Sequence, residues 1–208
     1  MEIHQGNAVC MVGLVEPKLR IALTTGQCDG GASVVTDRDG NVIGSVLVAR
    51  RQATMDAAAD SAMQPVEYEV VALAPEVNAT DLLPIGRRLR SSPDLRAEPG
   101  LSVCQLRSST GQACGSVGSV SNGRFVLADV AADGHDLGGP VYALTDGGDA
   151  IIVGLFEGTW RSTPEVESWQ AVMQQLCVDT GSQAGQQSPS ELRVISRHLR
   201  SFPGTAST

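Results

Sequence analysis

Aromatic residues, histidines and long apolar runs are all scarce in this chain of 208 residues. Phe, Trp and Tyr together make up 3% of the chain, and three residues are histidine. No stretch approaches the roughly 18 apolar residues of a membrane-spanning helix, so no transmembrane segment is predicted. The first ten residues also lack the basic start and apolar run of a signal peptide. If the protein is exported, its signal peptide is therefore missing from this sequence.

Positive charge is in short supply as well. The chain carries 15 Lys and Arg against 23 Asp and Glu, a formal net charge of -8. Affinity for a phosphate backbone comes mainly from clustered Lys and Arg, so this balance argues against nucleic acid as a partner. It disfavours an anionic membrane surface too. The length is enough for one large domain or for two small ones that share a cleft.

What the chain does contain is a series of short apolar runs separated by turn sequences. Runs of strand length recur between residues 9 and 156, and the turns between them include CDGGAS, DRDGN, SNGR and TDGGD. Clusters of Gly, Asn and Asp close hairpins, and the 23 glycines suit many tight turns. The pattern predicts an antiparallel all-β protein with sandwich or barrel topology.

The remaining segments suggest how the chain is organised. A stretch rich in Pro and Arg between residues 77 and 100 divides two strand-rich halves. The polar, low-complexity composition of residues 180–208 predicts a flexible tail, with a short accessory helix in ELRVISRHLRSF as an option. Before that tail, five apolar residues at helical spacing predict one amphipathic helix: Val166, Trp169, Val172, Met173 and Leu176.

Two cysteine-bearing segments carry a family resemblance. The first ends in TTGQC, which resembles the TAGHC signature around the catalytic histidine of trypsin-like serine proteases, and Gln27 stands at the histidine position. The second, VCQLRSSTGQACGSV, is similar to a disulfide-closed hairpin of the bacterial streptogrisin type. The resemblance implies that Cys10 pairs with Cys28 and Cys104 with Cys114. It leaves Cys177 over, either as a buried thiol or as a link between two chains.

A third segment resembles the surroundings of the catalytic serine. DGHDLGGPVYAL is similar to the family's GDSGGPVY motif, and Leu137 stands at the serine position. The acidic member of the family's triad begins a strand, and the matching segment VEYEVVALA places Glu67 there. The other two histidines, His4 and His198, precede the first strand and lie in the tail. Neither therefore stands where the catalytic base is needed.

The same resemblance identifies the former oxyanion site and specificity pocket as His135, Asp136, Gly138, Glu157 and Gly158. His135 replaces a glycine two residues before the serine position, which is expected to perturb the oxyanion hole. Asp136 is expected to be a buried carboxylate that contacts either the amine of the chain's N-terminus or a nearby arginine.

Glu157 aligns with a serine that supports the acidic triad residue. We therefore expect it to bring a second carboxylate towards Glu67, with a shared proton, a cation or a basic side chain of a ligand between them.

The resemblance covers nearly all of residues 1–177 and implies a fold. That fold is a chymotrypsin-like double β-barrel of six antiparallel strands each, followed by a C-terminal helix. We predict a first barrel in residues 1–90, a second barrel with the helix in residues 91–179, and the tail from 180 to 208. From the same resemblance we expect relatives among actinobacterial, in particular mycobacterial, exported members of the family.

The substituted positions predict the absence of protease activity. Acyl transfer needs a nucleophilic hydroxyl, an imidazole base and a carboxylate that orients it, and Gln27 and Leu137 supply neither of the first two. The prediction is a secreted or cell-envelope pseudoprotease, not an enzyme, that binds or regulates an unidentified protein or peptide. Two alternatives stay open: residual or repurposed hydrolase activity in the acidic cleft, and a purely structural envelope subunit.

No cofactor or metal is expected. His135 beside Asp136 is a weak candidate for a metal pair because no further ligands are spaced around it. The segment DRDGN lacks the correctly placed glycine and the closing glutamate of a calcium loop, so it is predicted to be a hairpin turn.

Overall fold

Antiparallel β-strands make up most of the regular structure in the computed structural model of the chain, which describes residues 1–51 and 65–182. They form two sheets. The strands of the first are β1 Glu2–Gln5, β2 Ala8–Met11, β3 Leu14–Glu16, β4 Ile21–Thr24, β5 Val34–Thr36, β6 Val42–Arg50 and β7 Tyr68–Leu73. Those of the second are β8 Leu89–Arg90, β9 Ser102–Arg107, β10 Gly111–Ser121, β11 Arg124–Ala128, β12 Pro140–Leu144, β13 Ala150–Trp160 and β14 Thr163–Ser168. Helix α1 follows at Trp169–Ser182.

The first sheet curls because one stretch of chain supplies both of its edges. Its order is β2-β1-β5-β6-β7-β4-β3, and β2 and β3 are separated by two residues. The bend between them contains Gly13, whose N–H donates to the Leu23 carbonyl at 2.8 Å. A Cβ atom on Gly13 would lie 2.8 Å from the carbonyl oxygen of Gly138, so the bend has no room for a side chain. We call this curled sheet the first barrel.

The second sheet closes on itself. Its order is β12-β9-β10-β11-β14-β13-β8, and an additional pairing of β12 with β13 completes a ring of six strands. Strand β8 joins the outside of this ring, parallel to β13. We call this sheet the second barrel. The predicted all-β, chymotrypsin-like double barrel with a C-terminal helix is confirmed.

Apolar side chains join the two barrels and the helix in one core. The largest cluster of buried residues contains Leu23 and Tyr68 from the first barrel, Leu155 from the second, and Trp169 and Val172 from α1. The Nε1–H of Trp169 donates to Ser91 Oγ at 2.7 Å. The helix is therefore packed against both barrels through the same cluster.

The disulfides fix two of the hairpins. Cys10 of β2 is bonded to Cys28, which follows β4, and Cys104 is bonded to Cys114, the residue directly opposite it in the β9–β10 ladder. These are the two pairings that the resemblance implied. Cys177 lies outside both disulfides and is half-buried in α1.

The helix prediction was wrong at its start. The predicted helix included Val166, but residues 163–168 form β14, and α1 begins only at Trp169. Thr163 and Val166 are β-branched and suit an extended strand, and pairing of β14 with both β11 and β13 satisfies the hydrogen bonding of its backbone. The last four apolar residues of the pattern do lie in the helix.

Other sequence predictions differ in detail or are untested. Each sheet has seven strands instead of six, because the bend separates β2 from β3 and because β8 adds to the second barrel. The domain boundary between residues 90 and 91 stays a prediction. Strand β8, at residues 89–90, already pairs with the second barrel. The predicted accessory helix and residues 183–208 of the tail lie outside the described residues. Among the described residues, no helix is long and apolar enough to cross a membrane.

The end of α1 provides a test of how the helix is held to the first barrel. Asp179 accepts hydrogen bonds from the Tyr68 hydroxyl at 2.7 Å, from Arg50 Nη1 at 3.0 Å and from Gln175 Nε2 at 2.8 Å. Replacing Asp179 with Ala removes a charged acceptor, so we expect a loss of about 1.5–3 kcal/mol in the free energy of unfolding in urea. Asp94→Ala, at an exposed position, is the control and should stay within about 0.5 kcal/mol. Equal losses in the two variants would contradict the assigned role of Asp179.

Candidate functional site

The site begins at a short turn that follows β4. Residues Gly26–Cys28 form a 3-10 turn whose N-cap is Thr25, with Thr25 Oγ1 accepting from the Gln27 N–H at 3.2 Å. The disulfide of Cys28 holds the end of this turn to β2. Gln27 is exposed, and its neighbours on both sides are buried. The turn therefore presents one side chain, that of Gln27, at the surface between the barrels.

The amide of Gln27 joins carboxylates from the two barrels. Its Nε2 donates to Glu157 Oε2 at 2.8 Å and to Glu67 Oε2 at 3.3 Å. Glu67 precedes β7 of the first barrel and Glu157 lies in β13 of the second, and their exposed fractions are only 4% and 5%. Thr25 Oγ1 also donates to Glu157 Oε2, at 2.7 Å. Residues predicted from separate segments therefore meet beneath one exposed amide.

Arg124 lies behind this pair and contacts three carboxylates. Its Nε is 3.1 Å from Glu167 Oε2, its Nη1 is 3.5 Å from Glu165 Oε2 and its Nη2 is 3.8 Å from Glu67 Oε2. The register places Arg124 of β11 directly opposite Glu167 of β14. Sequence analysis missed Arg124, Glu165 and Glu167. The two glutamates alternate along β14, a signal that was hidden because this segment was assigned to the helix.

We call these five residues, Glu67, Glu157, Glu165, Glu167 and Arg124, the carboxylate cluster. The pKa of Glu157 is raised to about 8, mainly by burial; the charges of Glu167 and Glu67 act in the same direction, while Thr25 and Arg124 oppose the shift. Burial also raises the pKa of Glu167 to about 7, against the lowering effect of Arg124. Burial lowers the pKa of Arg124, but the neighbouring Glu167, Glu157 and Glu165 raise it overall. Because four carboxylates share one guanidinium and two of them have raised pKa values, we expect the cluster to hold a proton at neutral pH.

The loop that carries Leu137 is ordered by its own side chains. Residues Gly134–Asp136 form a second 3-10 turn, and Asp133 Oδ1 accepts from the His135 N–H at 3.1 Å. The Leu137 carbonyl accepts from the Met11 N–H at 2.7 Å. The half-buried Leu137 side chain packs against the first-barrel cluster that contains the Cys10–Cys28 disulfide. It is therefore an apolar contact between the loop and the first barrel.

The two glycines at this site adopt backbone conformations that favour glycine. Gly138 has φ +79°, and its N–H donates to the Phe156 carbonyl at 2.8 Å. Gly158 has φ +111° and lies in an irregularity of the β13–β14 pairing, opposite Glu165. Both would be strained by a side chain.

His135 and Asp136 are held by other partners. The side chain of His135 is 86% exposed, and its Nδ1 lies 2.9 Å from Asp133 Oδ1, a hydrogen bond that raises the pKa of the imidazole. Asp136 is fully buried and accepts from the Ser108 N–H at 2.8 Å and from Ser108 Oγ at 3.0 Å. Arg107 Nε lies 3.8 Å from its other oxygen, so an arginine is its charged neighbour. In residues 1–51 and 65–182, no group of three or more His, Cys, Asp and Glu residues could hold a metal ion.

Comparison with known proteins identifies a relative at high coverage. No protein-family model matches the chain. The uncharacterized protein Rv1815 of Mycobacterium tuberculosis strain H37Rv is 42% identical over 182 residues, which cover 87% of this chain and 82% of the relative. The uncharacterized protein MT1863 of strain CDC 1551 has the same identity and coverage.

Solved structures share the fold at low sequence identity. A glutamic-acid-specific serine protease matches with a TM-score of 0.61 and 16% identity, over 84% of this chain and 94% of its own. Thermobifida fusca protease A matches with a TM-score of 0.56 and 21% identity, over 84% and 92%. The scabies mite inactivated protease paralogue S-I1 matches with a TM-score of 0.58 and 12% identity, over 87% and 93%. These structures establish the fold alone.

The raised pKa of Glu157 makes a prediction about stability. Between the ordinary glutamate value of 4.5 and about 8, the folded protein holds a proton on Glu157 that the unfolded chain releases. The contribution of Glu157 to the free energy of unfolding is therefore greatest below pH 4.5. It falls as the pH rises towards 8. Glu157→Gln should reduce the loss of unfolding free energy between pH 5 and pH 8 by about 2–4 kcal/mol, measured by urea titration. Glu76→Gln, at an exposed position, is the control. The same loss with pH in wild type and Glu157→Gln would contradict the assignment.

Removing the guanidinium tests the charge balance of the cluster. Arg124→Met leaves buried carboxylates without their cation, so we expect a loss of about 3–5 kcal/mol in unfolding free energy at pH 7. The loss should be smaller at pH 5, where more of these carboxylates are protonated. Arg96→Met, at an exposed position, serves as the matched control. A loss that does not change with pH would show that Arg124 acts by packing alone.

Proposed function

We propose that this chain is a non-catalytic serine-protease homologue. It belongs to the family of the mycobacterial protein Rv1815 and has the fold of trypsin-like serine proteases. In this proposal it is a secreted or envelope-associated pseudoprotease that binds a protein or peptide partner and does not cleave it. Two disulfides support an oxidising compartment.

The proposal assigns the three triad positions to Gln27, Glu67 and Leu137. A primary amide cannot take a proton from a nucleophile at neutral pH, and a leucine side chain has no nucleophilic atom. In a comparable triad, loss of the nucleophile or of the base alone lowered the rate by about 10⁶-fold. Neither function is supplied by His135, whose imidazole is exposed and bonded to Asp133.

The observation that carries the proposal is the position of the Gln27 amide. It donates to the carboxylate at the acid position and to that of Glu157 in the opposite barrel. An amide that donates to both carboxylates replaces the orienting contact of a histidine but cannot cycle a proton. The site is thereby held together as a structural joint between the barrels.

A second feature supports loss of catalysis. The N–H of His135, at a position assigned to the oxyanion hole, donates to the side chain of Asp133 within the same turn. A donor that is already bonded to a carboxylate is poorly placed to stabilise a developing oxyanion. The remaining function of such a cleft is recognition, in which an extended segment of a partner pairs with exposed strand edges.

Two observations favour other functions. The packing of Leu137 against the first barrel favours a structural subunit whose former cleft is filled by its own side chains. The raised pKa of Glu157 favours a repurposed acid–base site. Glu157 is only 5% exposed and already bonded to Thr25 and Gln27, so it has poor access to a substrate. We therefore favour recognition over a new reaction.

Reaction with a fluorophosphonate probe tests the loss of catalysis. The purified protein should show no mass increase under conditions in which Thermobifida fusca protease A, the positive control, is fully labelled. A parallel sample with iodoacetamide should take up one label, at Cys177, with both disulfides intact. A phosphonate adduct would mean that a serine outside our assignment is activated, and the pseudoprotease proposal would be wrong.

Hydrogen exchange distinguishes the binding module from the structural subunit. If the cleft binds extended segments, a library of unstructured peptides should contain members that slow amide exchange in residues 134–139 and 156–160. Saturating peptides that leave exchange unchanged there would favour the structural subunit.

A further inference from the structure

A groove separate from the carboxylate cluster lies where the first barrel meets the connection between the barrels. It consists of two adjoining cavities of about 300 and 420 Å³, which share Met1, Pro84 and Leu106 as walls. Neither cavity is lined by Gln27 or by any residue of the carboxylate cluster. The groove is therefore a candidate site that the proposed function does not use.

The smaller cavity has aliphatic walls. Within the described part of the chain, no Phe, Tyr or Trp lines it, so a planar ring would find no stacking partner there. Its volume is about twice the roughly 150 Å³ that accommodates benzene, and it lies at the lower end of the range for ligand pockets. The walls include Val12, Val15, Leu73, Val77, Leu83 and Leu89.

Several of the polar groups around these walls are already bonded within the protein. The Leu83 N–H donates to the Arg87 carbonyl and the Leu89 N–H to the Asp81 carbonyl, both at 2.8 Å. The carboxylate of Asp81 is 2.5 Å from Arg88 Nη1. This half of the groove therefore offers apolar contact and little hydrogen bonding.

The larger cavity is lined by charges of both signs, and its basic groups are the better compensated. Glu2, Asp37 and Asp39 line it, against Arg38, Arg107 and the N-terminal amine of Met1, whose pKa is lowered by burial. Arg107 Nε lies 3.8 Å from the buried carboxylate of Asp136, so its charge is partly compensated within the protein. The side-chain hydrogen bond from Asn41, together with backbone N–H groups, lowers the pKa of Asp37, which keeps this carboxylate ionised. A cation is therefore favoured over an anion in this half of the groove.

We propose that the groove binds a single amphiphile: an aliphatic chain of about eight to ten carbons that occupies the smaller cavity, with a cationic headgroup in the larger one. The two halves match the two parts of such a molecule, an apolar slot and an acidic mouth in contact through Pro84 and Leu106. Binding in this groove does not depend on which residues occupy the triad positions.

Isothermal titration calorimetry with alkyltrimethylammonium ions of six, eight and ten carbons, used below their micellar concentrations, tests the site. Binding should saturate at one molecule per chain and tighten by about fourfold for each added methylene. Decanoate, which has an anionic head, should bind more weakly than decyltrimethylammonium, and the difference should shrink as salt is added. Equal or tighter binding of decanoate would overturn the assignment of the headgroup.

Filling the smaller cavity provides the matched variants. Ala79 is half-buried in the wall of this cavity, and Ala79→Trp is the test variant. Ala97 is a half-buried alanine that packs against another core cluster, and Ala97→Trp is the control. The first variant should lose at least tenfold in affinity for decyltrimethylammonium and the second should bind as wild type does. Thr80→Trp, at an exposed lining position, gives the same test if Ala79→Trp does not fold. Saturable binding that is the same in every variant, or no saturable binding by wild type, would overturn the proposal.

Discussion

One buried guanidinium constrains how the two barrels meet. Arg124 contacts carboxylates of the second barrel and also Glu67 of the first, and its side chain is only 12% exposed. Burial of an unbalanced charge is costly. The excess carboxylates in this cluster must therefore either be protonated or lower the stability of the folded protein. The raised pKa values of Glu157 and Glu167 favour the first course, protonation. The joint between the barrels is therefore sensitive to pH as well as to packing.

The same constraint explains why an amide suits residue 27. A histidine there, if protonated, would add a second cation beside Glu67 and Glu157 and would favour their ionised forms. The neutral amide of Gln27 supplies a donor to both carboxylates without changing the charge. This amide and the apolar contact of Leu137 together stabilise the junction at which the turn, the loop and the two barrels meet. We infer that the chemistry of this junction now serves the fold and the recognition surface.

Sequence reasoning reached the fold and part of the site. The turn signals and motif order led to the double barrel, because the motifs occur in the same chain order as in the family they resemble. The resemblance assigned the start of β10 to a hairpin, but the sequence of this strand, GQACGSVGSVS, is rich in glycine and serine and contains no apolar run. β14 was assigned to a helix because Val166 coincides with the helical spacing of the residues that follow. Strand pairing decided its structure, and pairing depends on partners distant in the sequence.

Arg124 shows where sequence reasoning ends. Nothing in the segment SNGRF distinguishes this arginine from a solvated turn residue, because its partners lie 41 and 43 positions away on β14. Glu157 was recognised through the resemblance, and its approach to Glu67 was expected. The arginine behind them, which balances their charge, became visible only with the register of β11 and β14.

The protonation state of Glu157 is the most direct test of this account. Carbon-13 NMR of the protein labelled at glutamate side-chain carboxyls would follow every glutamate through a pH titration, with Glu157→Gln to assign the signal. The account predicts one carboxyl that titrates near pH 8 and is absent from the variant. Titration of all glutamates below about pH 5.5, within the ordinary range, would contradict it, because the cluster would then hold no proton at neutral pH.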